Sequence, residues 1–377
     1  MQNRTLGTIG QRTRGSPHCA SCSERRCARP RAPSARRQSI MMPRLRPQST
    51  SAVMYTVLLA LCPGAVVSMW VYGMGVLFNM LIATVSAWGF EALCLRLRGR
   101  PILPRLSDHS ALLTGWLLAL SLPQAAPWWL VVAGVGCAIV LGKHLYGGLG
   151  HNPVNPAMLA YALLLVSAPV SMTTLWVDPL NPPELTLAWS AFLGIAPDGY
   201  TSATVLDLYR TEFIGLTQPE MQNHPLLAQS VFGVAAGTEW VALAYFAGGL
   251  GLLACRVITW HIPVGFLGSL LLLSALFAID PDTATPPLTH LLAGASLFAA
   301  FFILTDPVSG ATSPRGRLWF AIGVGCLTYL IRTFGQYPDA IAFAVLLMNF
   351  AVPMIDHYTR PRIVGRNASV RGSGGLS

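Results

Sequence analysis

The sequence predicts an all-α polytopic membrane protein, with about ten transmembrane helices in two inverted five-helix halves and an outer-face segment between them. Composition, the placement of arginine and an internal repeat carry this expectation. Of 377 residues, 53% are hydrophobic and 11% charged, and the mean hydropathy is +0.53. A soluble domain carries about a quarter charged side chains. The charge-free apolar runs recur at lengths near the ~20 residues that cross a bilayer.

Residues 1–41 form an Arg-rich leader without an apolar period. They read as a disordered cytoplasmic tail or as untranslated sequence before a start at Met41 or Met42, and the second reading is preferred. Within them, His18-Cys19-Ala20-Ser21-Cys22 with Cys27 looks metal-like. It lies in an Arg/Ser/Pro-rich stretch with no apolar partner, so no metal site is expected. Cys62, Cys94, Cys137, Cys255 and Cys326 fall in or beside apolar runs, where Cys behaves as a small hydrophobe.

The first membrane half, 42–171, holds spans near 53–71, 74–95, 109–122, 127–143 and 155–171. Pro127 opens the fourth and Pro156 lies in the first turn of the fifth, as helix starts should. Pro63 falls inside the first, where a kink is expected. A polar segment, 172–237, follows. The second half, 238–357, holds spans near 238–256, 262–279, 288–304, 317–333 and 339–356, and a basic tail, 358–377, closes the chain.

The net charge of +10 is a topology signal. With the N-terminus inside and the spans alternating, Arg96, Arg98, Arg100, Arg105, Lys143, Arg256, Arg315, Arg317 and the arginines of both termini face the cytoplasm. Only Arg210 and Arg332 face outward, which satisfies the positive-inside rule. Both termini are then cytoplasmic and 172–237 is on the outer face. Cations placed this way argue for a lipid environment and against a nucleic-acid partner.

Leu159-Ala-Tyr-Ala-Leu-Leu-Leu165 matches Ile341-Ala-Phe-Ala-Val-Leu-Leu347, and Leu112-Leu-Thr-Gly115 matches Leu291-Leu-Ala-Gly294 at nearly the same offset. Five spans is an odd number, so repeated halves must be inverted, an architecture that places a pathway at their interface. The break Gly147-Gly-Leu-Gly-His151-Asn152-Pro-Val-Asn155-Pro156 reads equally as a re-entrant turn or as a loop capped by Asn155. Of the ionisable groups near spans, Glu91, Glu239, Asp306 and Asp339 are expected at water-accessible edges, since a charge at mid-bilayer costs about 2.5–3.5 kcal/mol.

The outer segment contains Asp198-Gly-Tyr-Thr201-Ser-Ala203-Thr204. This spacing is similar to the acceptor at which a flavin transferase esterifies FMN phosphate to a threonine. Thr204 would carry the ester, Asp198 and Thr201 would be polar handles, and Ala203 would give access to the backbone. A threonine hydroxyl needs an activating base and a neutralised phosphate to attack phosphorus. Nothing adjoining Thr204 in sequence obviously supplies both, so the chemistry belongs to the transferase. The same residues also read as a helix cap before Val205–Arg210. Asp306-Pro-Val-Ser309-Gly-Ala311-Thr312 fits the pattern too, but topology places Thr312 inside. No acid–base pair or nucleophile triad stands out, so no residue is assigned as catalytic. Arg210 is a candidate to balance the charge of an ester, although an ordinary surface role is the simpler reading.

Longer stretches add to these motifs. They are Leu145-Tyr-Gly-Gly-Leu-Gly-His-Asn-Pro-Val-Asn-Pro-Ala-Met158, Asp198 through Thr211, Phe301-Phe-Ile-Leu-Thr-Asp-Pro-Val308 with Gly316-Arg-Leu318, Phe334-Gly-Gln-Tyr-Pro-Asp339, and Ala342–Asn349 through Tyr358-Thr-Arg-Pro-Arg362. Over about residues 45–366 the chain resembles the D-type membrane subunit of Rnf-type ion-translocating electron transport complexes, the ferredoxin:NAD oxidoreductases. It is also similar to the homologous B-type subunit of the Na⁺-translocating NADH:quinone oxidoreductase. The resemblance implies a bacterial inner-membrane subunit of an oxidoreductase complex, not catalytic alone, that relays electrons and couples them to cation movement. It implies covalent FMN on Thr204 and a second, non-covalent flavin such as riboflavin. It also implies partner subunits with iron–sulfur clusters and another covalent FMN, and a flavin transferase for maturation. The chain departs from the family pattern at Val205, where Pro is usual, and around Ser309–Thr312, which is unusually acceptor-like. Readings without the resemblance are a cofactor-free inverted-repeat transporter and a structural scaffold subunit.

Overall fold

A computed structural model describes residues 49–195, 201–278, 285–335 and 340–359. The leader, with its His18–Cys22 pattern, Asp198, Asp339 and the tail from 360 onward lie outside them. The described chain is all-α, with one isolated antiparallel bridge between Val177 and Thr201.

The helices α1 (Thr50–Tyr72) and α2 (Gly75–Leu97) precede the short α3 (Leu103–Leu106). Then come α4 (Ser110–Ser121), α5 (Trp128–Gly136), which continues as a π-helical segment Cys137–His144, and α6 (Pro156–Ser167). Five short helices follow: α7 (Pro169–Thr174), α8 (Leu185–Phe192), α9 (Val205–Thr211), α10 (Gln218–Gln222) and α11 (Pro225–Ala228). The remainder is α12 (Thr238–Ala254), α13 (His261–Phe277), α14 (Pro287–Leu292), α15 (Ser296–Phe298) with a π-helical segment Ala299–Ile303, α16 (Pro314–Phe334) and α17 (Ile341–Thr359). Among the described residues, α1, α2 and α17 are long and apolar enough to cross a membrane by length and composition. At 1.5 Å per residue α1 is about 35 Å long, against a hydrocarbon core of about 30 Å. The protein is an all-α membrane protein.

Caps set the helix starts. Ser49 accepts from the Ala52 amide at 3.2 Å, and Ser313 accepts from the Gly316 amide at 2.9 Å ahead of Pro314. Asn155 accepts from the amides of Ala157 and Met158 at 3.0 and 3.3 Å, ahead of Pro156. The loop-cap reading of this stretch is thus present in the structure. Helix α1 continues through Pro63.

Two expected spans are broken. The fifth stops at Ser167, because Pro169 has no N–H to continue the helix and drives Ala168 out of helical conformation, at φ −133° and ψ 57°. The eighth is interrupted between α14 and α15, where Gly294 adopts φ +64°. Helix α4 is short as well. Its 12 residues span only about 18 Å, and the chain beyond it, including Leu122, Ala125 and Ala126, is buried.

Packing links the two ends of the chain. Helix α1 packs on α12, α2 on α4 and α5, α13 on α16, α16 on α17, and α17 on α6. The α1–α12 crossing depends on missing side chains. A Cβ at Gly64 would enter the Tyr245 ring, and a Cβ at Gly248 would meet the Ala60 carbonyl oxygen. Lipid supplies no hydrophobic drive for such contacts, so close approach of small residues is what holds them. One continuous apolar core runs through the bundle, and a smaller cluster of Leu208, Phe213, Met221, Leu226 and Leu227 forms under the segment between α7 and α12.

Candidate functional site

Thr204 is the N-cap of α9. Its hydroxyl accepts from the Asp207 amide at 3.3 Å and donates to Asp207 Oδ2 at 2.7 Å. The helix-cap reading therefore holds at Thr204 itself. A carboxylate able to take the hydroxyl proton sits three residues away, which leaves the neutralised phosphate to the transferase. The signal was available in sequence: Thr204-x-x-Asp207 is the spacing of an N-cap and the third residue of its helix. Upstream, Thr201 pairs with Val177, and the Ser202 amide donates to the Trp176 carbonyl at 2.9 Å. These bonds pin the acceptor stretch to the chain after α7. Ala203 is exposed.

Thr204 opens onto a cavity that, together with the open space at its mouth, measures about 1420 Å³. Ala203, Thr204 and Asp207 form one wall. The ends of α1, α2, α4 and α12 form others, with Tyr72, Asn79, Leu122 and Tyr245. The chain beyond α4 and the break between α14 and α15 meet here, since Leu122, Gly294 and Ala295 all line the cavity. Its walls are mostly apolar and aromatic, including Tyr161, Trp176 and Phe298, with Ser121, Gln124, Thr173 and Thr238 as polar groups. That is the usual character of a site for a planar organic cofactor.

A second cavity, about 900 Å³ together with the open space at its mouth, lies at the other end of the bundle. Val53 and Met54 of α1 line it, whereas Ser68 and Tyr72 line the first. Met54 and Ser68 are about 21 Å apart along the helix axis. Lys143, Asn152, Asn155 and Asp306 contribute polar groups to this second cavity. The Asn155 amide nitrogen donates to the Ile303 carbonyl at 3.2 Å. The Asn349 amide, oriented to satisfy both neighbours, donates to Ser309 O at 3.2 Å and accepts from Asn155 N at 3.0 Å. Asp306 accepts from the Ser309 hydroxyl at 2.8 Å, and loss of hydration still pushes its carboxyl above the ordinary value.

Beside this cavity lies a group that sequence reading missed. Lys143 Nζ is 2.9 Å from Glu91 Oε2 and donates to Ser110 Oγ at 2.8 Å. His144 Nε2 is 2.9 Å from the same Glu91 oxygen, and Asp108 accepts from the Ser110 hydroxyl at 2.6 Å. Glu91 is 3% exposed, so it does not occupy the water-accessible edge expected of it. A charged pair removed from water holds only when each partner is satisfied, as here. Glu239 is buried too. It accepts from the amides of Val231, Phe232, Val234 and Ala235 at 2.9–3.3 Å, which occupies both carboxylate oxygens with the loop before α12.

The other motif copy is held differently. The Thr312 hydroxyl donates to Asp356 of α17 at 2.9 Å, and Thr312 is exposed and lines neither cavity. Its neighbour Asp306 lines the second cavity, so the two copies lie at opposite ends of the bundle. The Arg210 guanidinium donates to the Gly335 carbonyl and is not among the residues lining the first cavity. It fastens α9 to the end of α16.

The match to known proteins spans this whole assembly. The NQR2, RnfD, RnfE family profile matches residues 43–365. The chain belongs to that family. Among its relatives is the D-type subunit of the ion-translocating oxidoreductase complex of Marinobacter nauticus, 47% identical over 88% of this chain and 96% of that protein. The corresponding protein of Ectopseudomonas mendocina, of the same description, is 52% identical over 84% and 92%. That of Salmonella heidelberg is 46% identical over 84% and 95%. The family match includes both acceptor-like threonines, so the choice between them rests on geometry.

Proposed function

We propose that this family member is the membrane subunit of an inner-membrane ion-translocating oxidoreductase complex of the ferredoxin:NAD type, and that Thr204 carries FMN as a phosphoester. The observation that carries the site is the position of the Thr204 hydroxyl on the wall of a large aromatic cavity, whereas Thr312 lines neither cavity. The relatives' shared description, as the D-type subunit of an ion-translocating oxidoreductase complex, supports the complex. Partner subunits with iron–sulfur clusters and a second covalent FMN follow from the same membership, as does a second, non-covalent flavin.

Bound FMN supplies one- and two-electron redox chemistry, and the protein contributes position and electrostatics. Thr204 would provide the attachment oxygen, and Asp207, already hydrogen-bonded to that hydroxyl, would take its proton, while the transferase brings the activated flavin phosphate and takes up the group that leaves phosphorus. The apolar walls exclude water from the ring. Asp198 and Thr201 serve the transferase as recognition handles, with Ala203 leaving room for it.

Ten spans in two inverted halves agree with the packing, in which α1 meets α12 and α6 meets α17. The cations agree with an orientation that puts the Thr204 end in the periplasm and both termini in the cytoplasm. Lys143 lines the second cavity, Arg98 donates to the His144 carbonyl, and Arg317 donates to the Ala311 carbonyl at 3.3 Å. All three mark the end opposite Thr204.

The test uses the full chain co-expressed with the transferase, run on a denaturing gel and viewed under ultraviolet light. Fluorescence is expected in the wild type and in Thr312→Val and absent in Thr204→Val. Loss in Thr312→Val alone would overturn the site. A wild type without fluorescence would favour the cofactor-free transporter. The family profile also covers NQR2, so a component of a Na⁺-translocating NADH:quinone oxidoreductase is the second reading.

A further inference from the structure

Asn79 holds a hydrogen-bond acceptor that the chain leaves unused. It lies in the second turn of α2, one turn after Gly75, where a Cβ would run into the Gln124 backbone. That close approach brings the Asn79 amide nitrogen to the Pro123 carbonyl at 3.0 Å. The bond fixes which way the amide faces, because only its nitrogen can donate. The side-chain oxygen is therefore turned away from Pro123. It is buried and has no hydrogen-bond partner, and the residue is 1% exposed. Buried acceptors are nearly always satisfied, so an unpaired one on a residue that lines a cavity points to a ligand contact. Asn79 lines the same cavity as Thr204.

We propose that Asn79 is a recognition residue for the flavin ring, its Oδ1 accepting a hydrogen bond from the imide N–H. This rests on the assignment of Thr204 as the flavin attachment site. The oxidised isoalloxazine presents a single ring N–H, the imide, flanked by two carbonyl oxygens. An amide whose nitrogen is tied to Pro123 has only its oxygen left to offer, and that oxygen would accept from the N–H and repel either carbonyl, so it selects one edge of the ring. Accepting from the imide also raises electron density in the ring and favours its oxidised form. Asn79 thereby lowers the reduction potential of the site. Were it to face an N–H that exists only in the reduced ring, its effect would have the opposite sign.

The experiment uses the full chain, co-expressed with the transferase and purified in detergent, with two readouts. Gel fluorescence of the denatured protein reports attachment. A redox titration followed by flavin absorbance reports the potential. Asn79→Leu and Asn79→Asp are both expected to keep the fluorescence. Asn79→Leu, which removes the acceptor, is expected to shift the equilibrium about tenfold toward the reduced flavin, about 30 mV for two electrons. Asn79→Asp keeps an oxygen in place and is expected not to shift it that way. Should leucine not fit, Asn79→Ala is read as leucine would be. A potential that is unchanged or lowered in the leucine variant overturns the proposal. So does an equal upward shift in the leucine and aspartate variants, which would leave Asn79 a purely structural tie to Pro123 with water on its oxygen. Fluorescence that persists in Thr204→Val overturns the attachment site instead, a separate outcome.

Discussion

Lys143 is the chain's single lysine amid many arginines, and the structure buries it against Glu91. Removing one partner of such a pair leaves the other charge without compensation, at a cost of about 3–5 kcal/mol. Lys143→Met is therefore expected to lower unfolding stability in detergent by that order. The double variant Lys143→Met, Glu91→Gln is expected to recover much of the loss, and a double-mutant cycle measures the coupling. Equal losses in the single and double variants would show that the pair is not coupled. The sequence did contain the hint, since one lysine among arginines is odd in composition. It could not show the pairing, because Glu91 and Lys143 are distant along the chain and meet only through the packing of α2 on the π-helical segment. The helix cap at Thr204 was legible for the opposite reason. The motif is local, and so are the cap and the bond to Asp207. Arg210 was read as a free outer cation, and only the approach of α16 reveals its carbonyl partner.

The helices themselves were largely readable, because apolar run length and N-terminal proline are local signals. The interruptions at Ala168 and Gly294 were not, although each had a residue that announced it. A run such as Pro287–Ile303 is apolar throughout, and hydropathy does not register one left-handed glycine. The α1–α12 crossing gives a direct test at this scale. Gly248→Val is expected to cost about 1–3 kcal/mol through overpacking against Ala60, read by unfolding in detergent. Gly251 lies on the same helix, and a Cβ there meets nothing within 4 Å. Gly251→Ala is expected to be neutral or stabilising by up to about 1 kcal/mol, from helix propensity alone. Similar losses in both variants would argue against the crossing. Glu239→Ala removes the acceptor for four loop amides and is expected to speed proteolysis between α11 and α12, measured by cleavage rate on the detergent-solubilised chain.

For the molecule as a whole, arginine placement is the observation behind the proposed orientation. Reporter fusions within 172–237 are expected to read as periplasmic, and fusions after Thr359 as cytoplasmic. A cytoplasmic reading for 172–237 would overturn the proposed orientation and, with it, the proposal that Thr204 carries FMN. The cations cluster by sequence at the ends of runs; in the fold Lys143 lines the second cavity, and Arg98 and Arg317 bond to the carbonyls of His144 and Ala311. The cavities were not legible in the sequence. Each is assembled from the ends of helices far apart in the chain, and no short window of sequence contains either one.

The meeting of Gly64 with Tyr245, and of Gly248 with Ala60, has a mechanical consequence. It acts as a rivet near the middle of α1. Pivoting one end of the chain against the other would force the tyrosine ring over a neighbouring side chain and spread both helices. Rearrangement is then easier at the two mouths of the bundle than at its waist.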